Sequence, residues 1–261
     1  MSRLVNLFKQ KSERVLNVYC TAGYPHLNST LEVMESLQKN GADIIELGMP
    51  YSDPLADGEV IQNSSMIALS NGMTIDTLFD QLATMRSSIH IPVVLMGYMN
   101  PILQYGFEAF CKKAKAVGVD GFILPDLPML EFEQVYGAIL EQNNLDFIFL
   151  VTPETPEARL KKLDALSSGF LYAVSASATT GTANDFSKVA IYLERLKSMQ
   201  LKNPILVGFG IKDKASFDAV TPYTNGAIIG SAYIQALSKG QLIGETLEAT
   251  TATFLNGVLA S

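Results

Sequence analysis

Eight short runs rich in β-branched and aromatic residues recur along the chain: "LNVYCTAG", "DIIELG", "IPVVLMGY", "GFILPD", "DFIFLVTP", "FLYAVS", "PILVGFG" and "GAIIGSA". Segments of helical periodicity lie between them. In "NSTLEVMESLQKNG", Leu31, Met34 and Leu37 recur every three residues, Ser29 with Glu32 fits a capping box, and Gly41 stands where a helix would stop. "IDTLFDQLATM", "EAFCKKAKAVG", "EARLKKLDAL" and "VAIYLERLKSM" follow the same pattern. The β-type runs are nearly continuous in apolar residues, which points to a parallel sheet covered by helices. Eight such units in about 250 residues is the size of a (β/α)8 TIM barrel. An open doubly wound sheet is the alternative, weakened because no G-x-G-x-x-G follows the first run. Leu4, Leu7 and Phe8 add an amphipathic N-terminal helix, and no linker or composition shift divides the chain. The expected architecture is therefore one α/β domain over residues 1–261, a TIM barrel with an extra N-terminal helix.

Composition limits what such a body can do. At 48% hydrophobic and 17% charged, its 261 residues can bury a large core. No stretch reaches the roughly 20 apolar residues of a membrane span, and the charged N-terminus is not a secretory leader. A cytoplasmic protein is expected. Cys20 and Cys111 sit in strand-like and helix-like patterns and read as buried free thiols. His26 and His90 are the only histidines, so a metal site built on several imidazoles is excluded; a carboxylate-only site stays open without support, and no metal is expected. The net charge of −7 speaks against nucleic acid. An anionic substrate would have to be held by local groups.

In a barrel, those groups sit on the loops after the strands. The ends of the eight runs are polar: Thr21, Glu46, Tyr98 with Asn100, Asp126, Thr152, Ser175, Gly210, and Gly230 with Ser231. Glu46 shares a strand face with Ile44 and Gly48, opposite Ile45 and Leu47. If that face is interior, its carboxyl is either paired with a cation or perturbed and functional, and the strand ends offer no cation. Asp53 and Asp57 follow in "PYSDPLADG". Pro50 and Pro54 restrict this loop, and each aspartate is either an aimed side chain or a turn-former.

Late glycines suggest an anion site. Gly181 ends "SASATTG", Gly210 lies in "VGFGIKD", and Gly230 with Ser231 opens the last barrel helix. Glycine admits close backbone approach, and a helix start offers free N–H groups. Singly these are ordinary turn glycines; together, after strands seven and eight, they occupy the recurrent phosphate position of the fold.

"IIELGMPYSDPLADG", "VGVDGFILPDLP", "LYAVS", "TTG", "VGFGI" and "IIGSA" together resemble the tryptophan synthase α-subunit family, from "YCTAGYP" to the last helix. The resemblance implies a lyase that splits indole-3-glycerol phosphate into indole and glyceraldehyde 3-phosphate by a retro-aldol reaction. It implies Glu46 and Asp57 as catalytic, and Tyr172, Thr180, Gly181, Gly210, Gly230 and Ser231 around substrate and its phosphate. Protonation of indole C3 would give an indolenine able to accept the bonding electrons. Glu46 would shuttle protons, and Asp57 would stabilise charge at the ring nitrogen and take its proton as aromaticity returns. Leu95, Phe209 and Ile61 are candidate walls for the indole. Where the family pattern reads "SRxGVTG", this chain has Ala176 in place of the arginine, which bears on how residues 176–190 would close as a lid. The resemblance also implies a β-subunit partner in an α2β2 assembly. Pyridoxal phosphate would belong to that partner, with none in this chain, and Pro50, Asp53 and Asn100 are expected at the contact. A stand-alone indole-releasing lyase shares these residues. A non-catalytic regulatory subunit is opposed by the retention of both carboxylates. Another phosphate-binding barrel, such as a sugar-phosphate isomerase or epimerase, remains the competing enzyme class.

Overall fold

In the computed structural model, which describes residues 2–174, 186–208 and 210–260, the first strand is bonded on both sides. β1 (Val15–Thr21) pairs with β2 (Ile44–Gly48) and with the last strand, β9 (Gly226–Ile229). Between them run β3 (Val93–Met96), β4 (Gly121–Ile123), β5 (Asp146–Phe147), β6 (Leu150–Val151), β7 (Leu171–Val174) and β8 (Ile205–Gly208). Every pairing is parallel, and the order is β5-β4-β3-β2-β1-β9-β8-β7-β6. The run "DFIFLVTP", expected as one strand, is two short ladders. β5 pairs with β4 and β6 with β7, because the chain hands its hydrogen bonds from one neighbour to the other across Ile148 and Phe149. Ile148 N–H donates to the Phe122 carbonyl and Tyr172 N–H to the Phe149 carbonyl, both at 3.0 Å. The ring is thus continuous, an eight-stranded barrel with one interrupted stave.

The outer layer comprises α2 (Thr30–Lys39), α3 (Glu59–Ser70), α4 (Ile75–Leu82), α5 (Met99–Tyr105), α6 (Phe107–Ala116), a helical stretch of α7 (Met129–Glu131), a π-turn and α8 (Gly137–Gln142), then α9 (Glu157–Leu166), α10 (Phe186–Ser198), α11 (Lys214–Val220), α12 (Ser231–Leu242) and α13 (Leu247–Leu259). β1 and β2 are buried along their whole length, which explains their unbroken apolar runs. Ser29 does not cap α2: its hydroxyl accepts from His26 N–H, because the chain makes a short 3₁₀ turn over Leu27–Ser29 first. α2 stops as expected at Gly41, whose φ of +101° suits glycine.

Alternation divides the core in two. Leu16, Val18, Ile45, Leu47, Val93 and Leu95 face the helices, while Val15, Ile44, Val94, Ile123, Ile148, Phe170, Leu206 and Ile228 fill the barrel. The N-terminal helix α1 (Arg3–Gln10) closes its floor. Leu4 is fully buried in the interior set, with Leu7 and Phe8 packed against it. The Ser2 hydroxyl caps α1 by accepting from Val5 N–H. Arg3 reaches Asp120 at 2.9 Å, and that buried carboxylate also takes Arg86 at 2.7 Å and Val93 N–H at 2.8 Å. Cys20 and Cys111 are buried free thiols. Among the described residues no helix is long and apolar enough to cross a membrane, and no three His, Cys, Asp or Glu gather as metal ligands.

Leu4→Ala should therefore lower stability by about 2–5 kcal/mol in urea unfolding, the cost of a cavity in a packed core. A loss below about 1 kcal/mol would mean that α1 only rests on the barrel.

Candidate active site

Glu46 projects inward near the top of β2, level with Tyr19 of β1 in the ladder. It is 1% exposed, and Asn17 Nδ2 donates to its Oε2 at 2.7 Å. Burial pushes its carboxyl up to about 8; the Asn17 bond opposes the shift, and Asp57 adds to it. No cation is among these causes, so of the two readings left open for Glu46 the perturbed carboxyl holds.

Asp57 ends the loop before α3, with Gly58 at the helix N-cap. The loop folds on itself: Asp57 N–H donates to the Pro54 carbonyl at 3.2 Å, and Gln62 Nε2 to the Asp57 carbonyl at 2.8 Å. Tyr98, after β3, fastens it further. Ala56 N–H donates to the Tyr98 hydroxyl oxygen at 3.0 Å, and that hydroxyl donates to the Asp57 carboxylate. Burial raises Asp57 to about 6 while the Tyr98 bond restrains the rise. Asp53 points away from the site: it is exposed and accepts from Ser52 Oγ at 2.5 Å. Two carboxyls, of which Asp57 acts on Glu46, thus stand at one barrel mouth with different proton affinities.

Two tyrosines lie with them. The Tyr172 phenol is raised by burial, then by Glu46 and Asp57; the Tyr19 phenol is raised by burial and then by Asp57, with Glu46 adding less. Both therefore stay neutral near physiological pH. Each needs a glycine beside it, because a Cβ on Gly48 would collide with the Tyr19 hydroxyl and one on Gly208 with that of Tyr172. Tyr98 is one of the polar strand ends expected from the sequence, whereas Asn17 and Tyr19 are not among the site residues expected from it. The available signal for Asn17 was an amide inside the apolar run "LNVYC", two residues before Tyr19 on the same strand face.

Gly230 is the N-cap of the 12-residue helix α12, with Ser231 its first residue, and the glycine brings this end no side-chain cap of its own. Its free N–H groups can receive an anion. A Cβ on Gly230 would lie 3.6 Å from Tyr19 Cβ and 3.8 Å from Ile61 Cδ1, so the helix start adjoins the carboxylate site. Gly210 is exposed with φ +50°, in the loop after β8. Thr180, Gly181, Phe209 and Ala176 lie outside the described residues, as does the segment 176–190 up to the start of α10. Ile61 is buried on α3 beside this mouth. Leu95 is a correction: it packs toward the helices with Leu47, and Met96 takes the inward position.

On the outer side of the loop after β2, Pro50 is half-buried and Asn100 exposed, and Asn100 Nδ2 donates to the Tyr51 hydroxyl at 2.9 Å. A cavity of about 260 Å³ lies here, walled by Met49, Pro50, Tyr51, Met73, Ile75 and Pro101. It contains neither carboxylate and is separate from the mouth.

The model of the family described as "Tryptophan synthase alpha chain" matches residues 5–257. The tryptophan synthase alpha chain of Flavobacterium johnsoniae is 50% identical over 231 residues, covering 88% of this chain and 91% of its own. That of Parabacteroides distasonis is 47% identical over 249 residues, covering 95% and 97%. The crystal structure of tryptophan synthase subunit alpha from Legionella pneumophila superposes with a TM-score of 0.91 at 32% identity, covering 99% of this chain and 97% of that one. A chain of tryptophan synthase from M. tuberculosis, in an aminoacrylate-bound form, gives 0.85 at 32% identity, covering 99% and 100%.

The raised Glu46 carboxyl has a stability consequence with a definite sign. From an ordinary 4.5 it moves to about 8, so the folded state binds the proton more tightly than the unfolded state. The stabilisation is complete below about pH 4.5 and is lost as pH rises through about 8. Glutamine has no charge to desolvate. Glu46→Gln should match the parent in urea unfolding at low pH and exceed it above pH 8 by on the order of 1–3 kcal/mol. An equal difference at both pH values would show that water reaches the carboxyl.

Proposed function

This chain belongs to the tryptophan synthase alpha chain family, and we propose that Glu46 and Asp57 carry its reaction. That reaction is the α step of tryptophan biosynthesis: the carbon–carbon lyase cleavage of indole-3-glycerol phosphate to indole and glyceraldehyde 3-phosphate. The observation that supports the assignment is the pair of carboxyls with divergent affinities, about 8 for Glu46 and about 6 for Asp57. Near neutral pH the first is a stored acid and the second a carboxylate. Such separation divides acid and base roles between like groups.

The bond to be broken joins indole C3 to a hydroxyl-bearing carbon. Glu46 donates its proton to C3, and the ring becomes a cationic indolenine whose C=N can receive an electron pair. The Asp57 carboxylate balances the charge at the ring nitrogen. Glu46, now a carboxylate, takes the hydroxyl proton. The O–H electrons form the aldehyde, the C–C bond breaks, and its electrons restore the indole ring. One proton enters at C3 and one leaves the hydroxyl, so Glu46 ends protonated as it began. The substrate supplies its own electron sink, which supports our reading that the chain needs no cofactor or metal. Tyr172, Tyr19, Ile61 and Met96 border the ring site. The α12 start at Gly230 and Ser231, with Gly210, Thr180 and Gly181, is proposed to hold the phosphate.

The partner is a tryptophan synthase β subunit, which we propose to join in an α2β2 assembly and to carry the pyridoxal phosphate. The exposed outer side of the loop after β2, with Pro50, Asp53 and Asn100, is the proposed contact. We place the chain in the cytoplasm.

Indole release should follow a bell-shaped pH profile, rising through about 6 as Asp57 ionises and falling above about 8 as Glu46 loses its proton. Glu46→Gln and Asp57→Asn should each lose about 10²- to 10⁴-fold in kcat with the fold intact. A rate near that of the parent in either variant would remove that residue from the chemistry. Measured with and without a β subunit, release that accelerates on pairing would establish the coupling, and equal rates would indicate an uncoupled indole producer.

A further inference from the structure

Asn17 lies on the interior face of β1, between Val15 toward the barrel floor and Tyr19 toward its mouth. It is fully buried, yet among the described residues its Oδ1 has no hydrogen-bond partner. A buried, unpaired amide oxygen is unusual and calls for a cause. The register pairs Asn17 with Ile44, two residues before Glu46, so the amide meets the carboxyl from the floor side at 2.7 Å. Among the described residues, Asn17 is the side chain that hydrogen-bonds Glu46.

We propose that Asn17 is a positioning residue that holds the Glu46 carboxyl in both of its protonation states, so that one group can give a proton and then take one. The orientation in the structure, with Nδ2 donating to Oε2, suits the carboxylate. With the acid, the amide turns end for end and Oδ1 accepts from the carboxylic O–H. The two ends of an amide are nearly isosteric. Because Oδ1 has no other partner, the turn breaks one hydrogen bond and makes one. A side chain fastened at both ends could not do this. The unpaired oxygen is therefore the acceptor waiting for the acid form.

Asp57, of the loop before α3, is the titratable group that acts on Glu46, and Glu46 in turn raises Tyr19 and Cys20 of β1 and Tyr172 of β7. None is a cation. Asn17 bonds both forms, but its bond to the charged carboxylate is the stronger of the two, so removing the amide should raise the carboxyl further.

This inference rests on the reading of Glu46 as the proton carrier, so its test includes a measurement independent of turnover. The Glu46 side-chain carboxyl is followed by ¹³C NMR from pH 5 to pH 10 in the parent, Asn17→Leu and Asn17→Asp, alongside kcat and KM for indole release in the complex with the β subunit. Asn17→Leu should make Glu46 about tenfold weaker as an acid and move the upper limb of the kcat profile with it. Its kcat should fall about tenfold or more, with KM within about threefold, as expected when a proton-transfer group rather than binding is disturbed. Asn17→Asp keeps the shape, so it reports even if the leucine variant fails to fold. Its second carboxyl should raise the Glu46 midpoint by a further step. An unmoved midpoint in the folded variants would overturn the proposal, whatever the rates. A fall in kcat with midpoint and limb in place would reduce Asn17 to packing and overturn it as well. Full activity of Glu46→Gln would instead defeat the catalytic assignment, while the carboxyl titration would still decide whether Asn17 governs Glu46.

Discussion

Everything at the mouth depends on β1 being paired along both edges. Its ladder with β9 sets Val15 against Gly226, where a Cβ would collide with the Val15 backbone. The same close approach recurs at Gly121 against Asp146. Glycine is required at these points because the strands meet more tightly than a side chain permits. With β1 locked, Asn17 and Tyr19 are placed against Glu46 on one side and near the start of α12 on the other. The proton carrier and the anion site are thus two sides of one strand's environment.

The site works against the barrel that holds it. Glu46 sits where water is excluded and no cation compensates, a costly position for a charge. The barrel tolerates it because the layers on either side are apolar and well filled: the floor set around Leu4 and Ile44 below, and the helix-facing set outside. The same exclusion of water separates the affinities of Glu46 and Asp57. Asp57 is less deeply placed and has the Tyr98 hydroxyl, so it remains the stronger acid.

The barrel was legible because eight apolar runs alternate with helical ones, and Glu46 because a carboxylate in such a run needs a reason. Strand phase was less readable. In "VVLMGY" every residue is apolar, so nothing in the pattern tells Leu95 from Met96; only the register with Glu46, which pairs with Val94, does. The same limit hid the split of "DFIFLVTP", where the neighbours rather than the composition decide the ladder. Asp53 and Asp57 looked alike in a proline-braced loop, and the group that separates them, Tyr98, is 42 residues from the loop residue it bonds. Asn17 went unread because an amide in a strand carries no charge pattern. Its meaning lies in one distance to Glu46 and one unpaired oxygen.

A barrel closed by its first and last strands also has a history in time. β1 leaves the ribosome before the other strands, and the partner for its second edge begins only at Gly226. At ordinary elongation rates of about 5–20 residues per second, that edge waits roughly 10–40 s for its mate. Until then any sheet built on β1 has that edge unpaired. The final stave ends this vulnerability, so every unfinished or truncated copy retains an adhesive border that a completed one lacks.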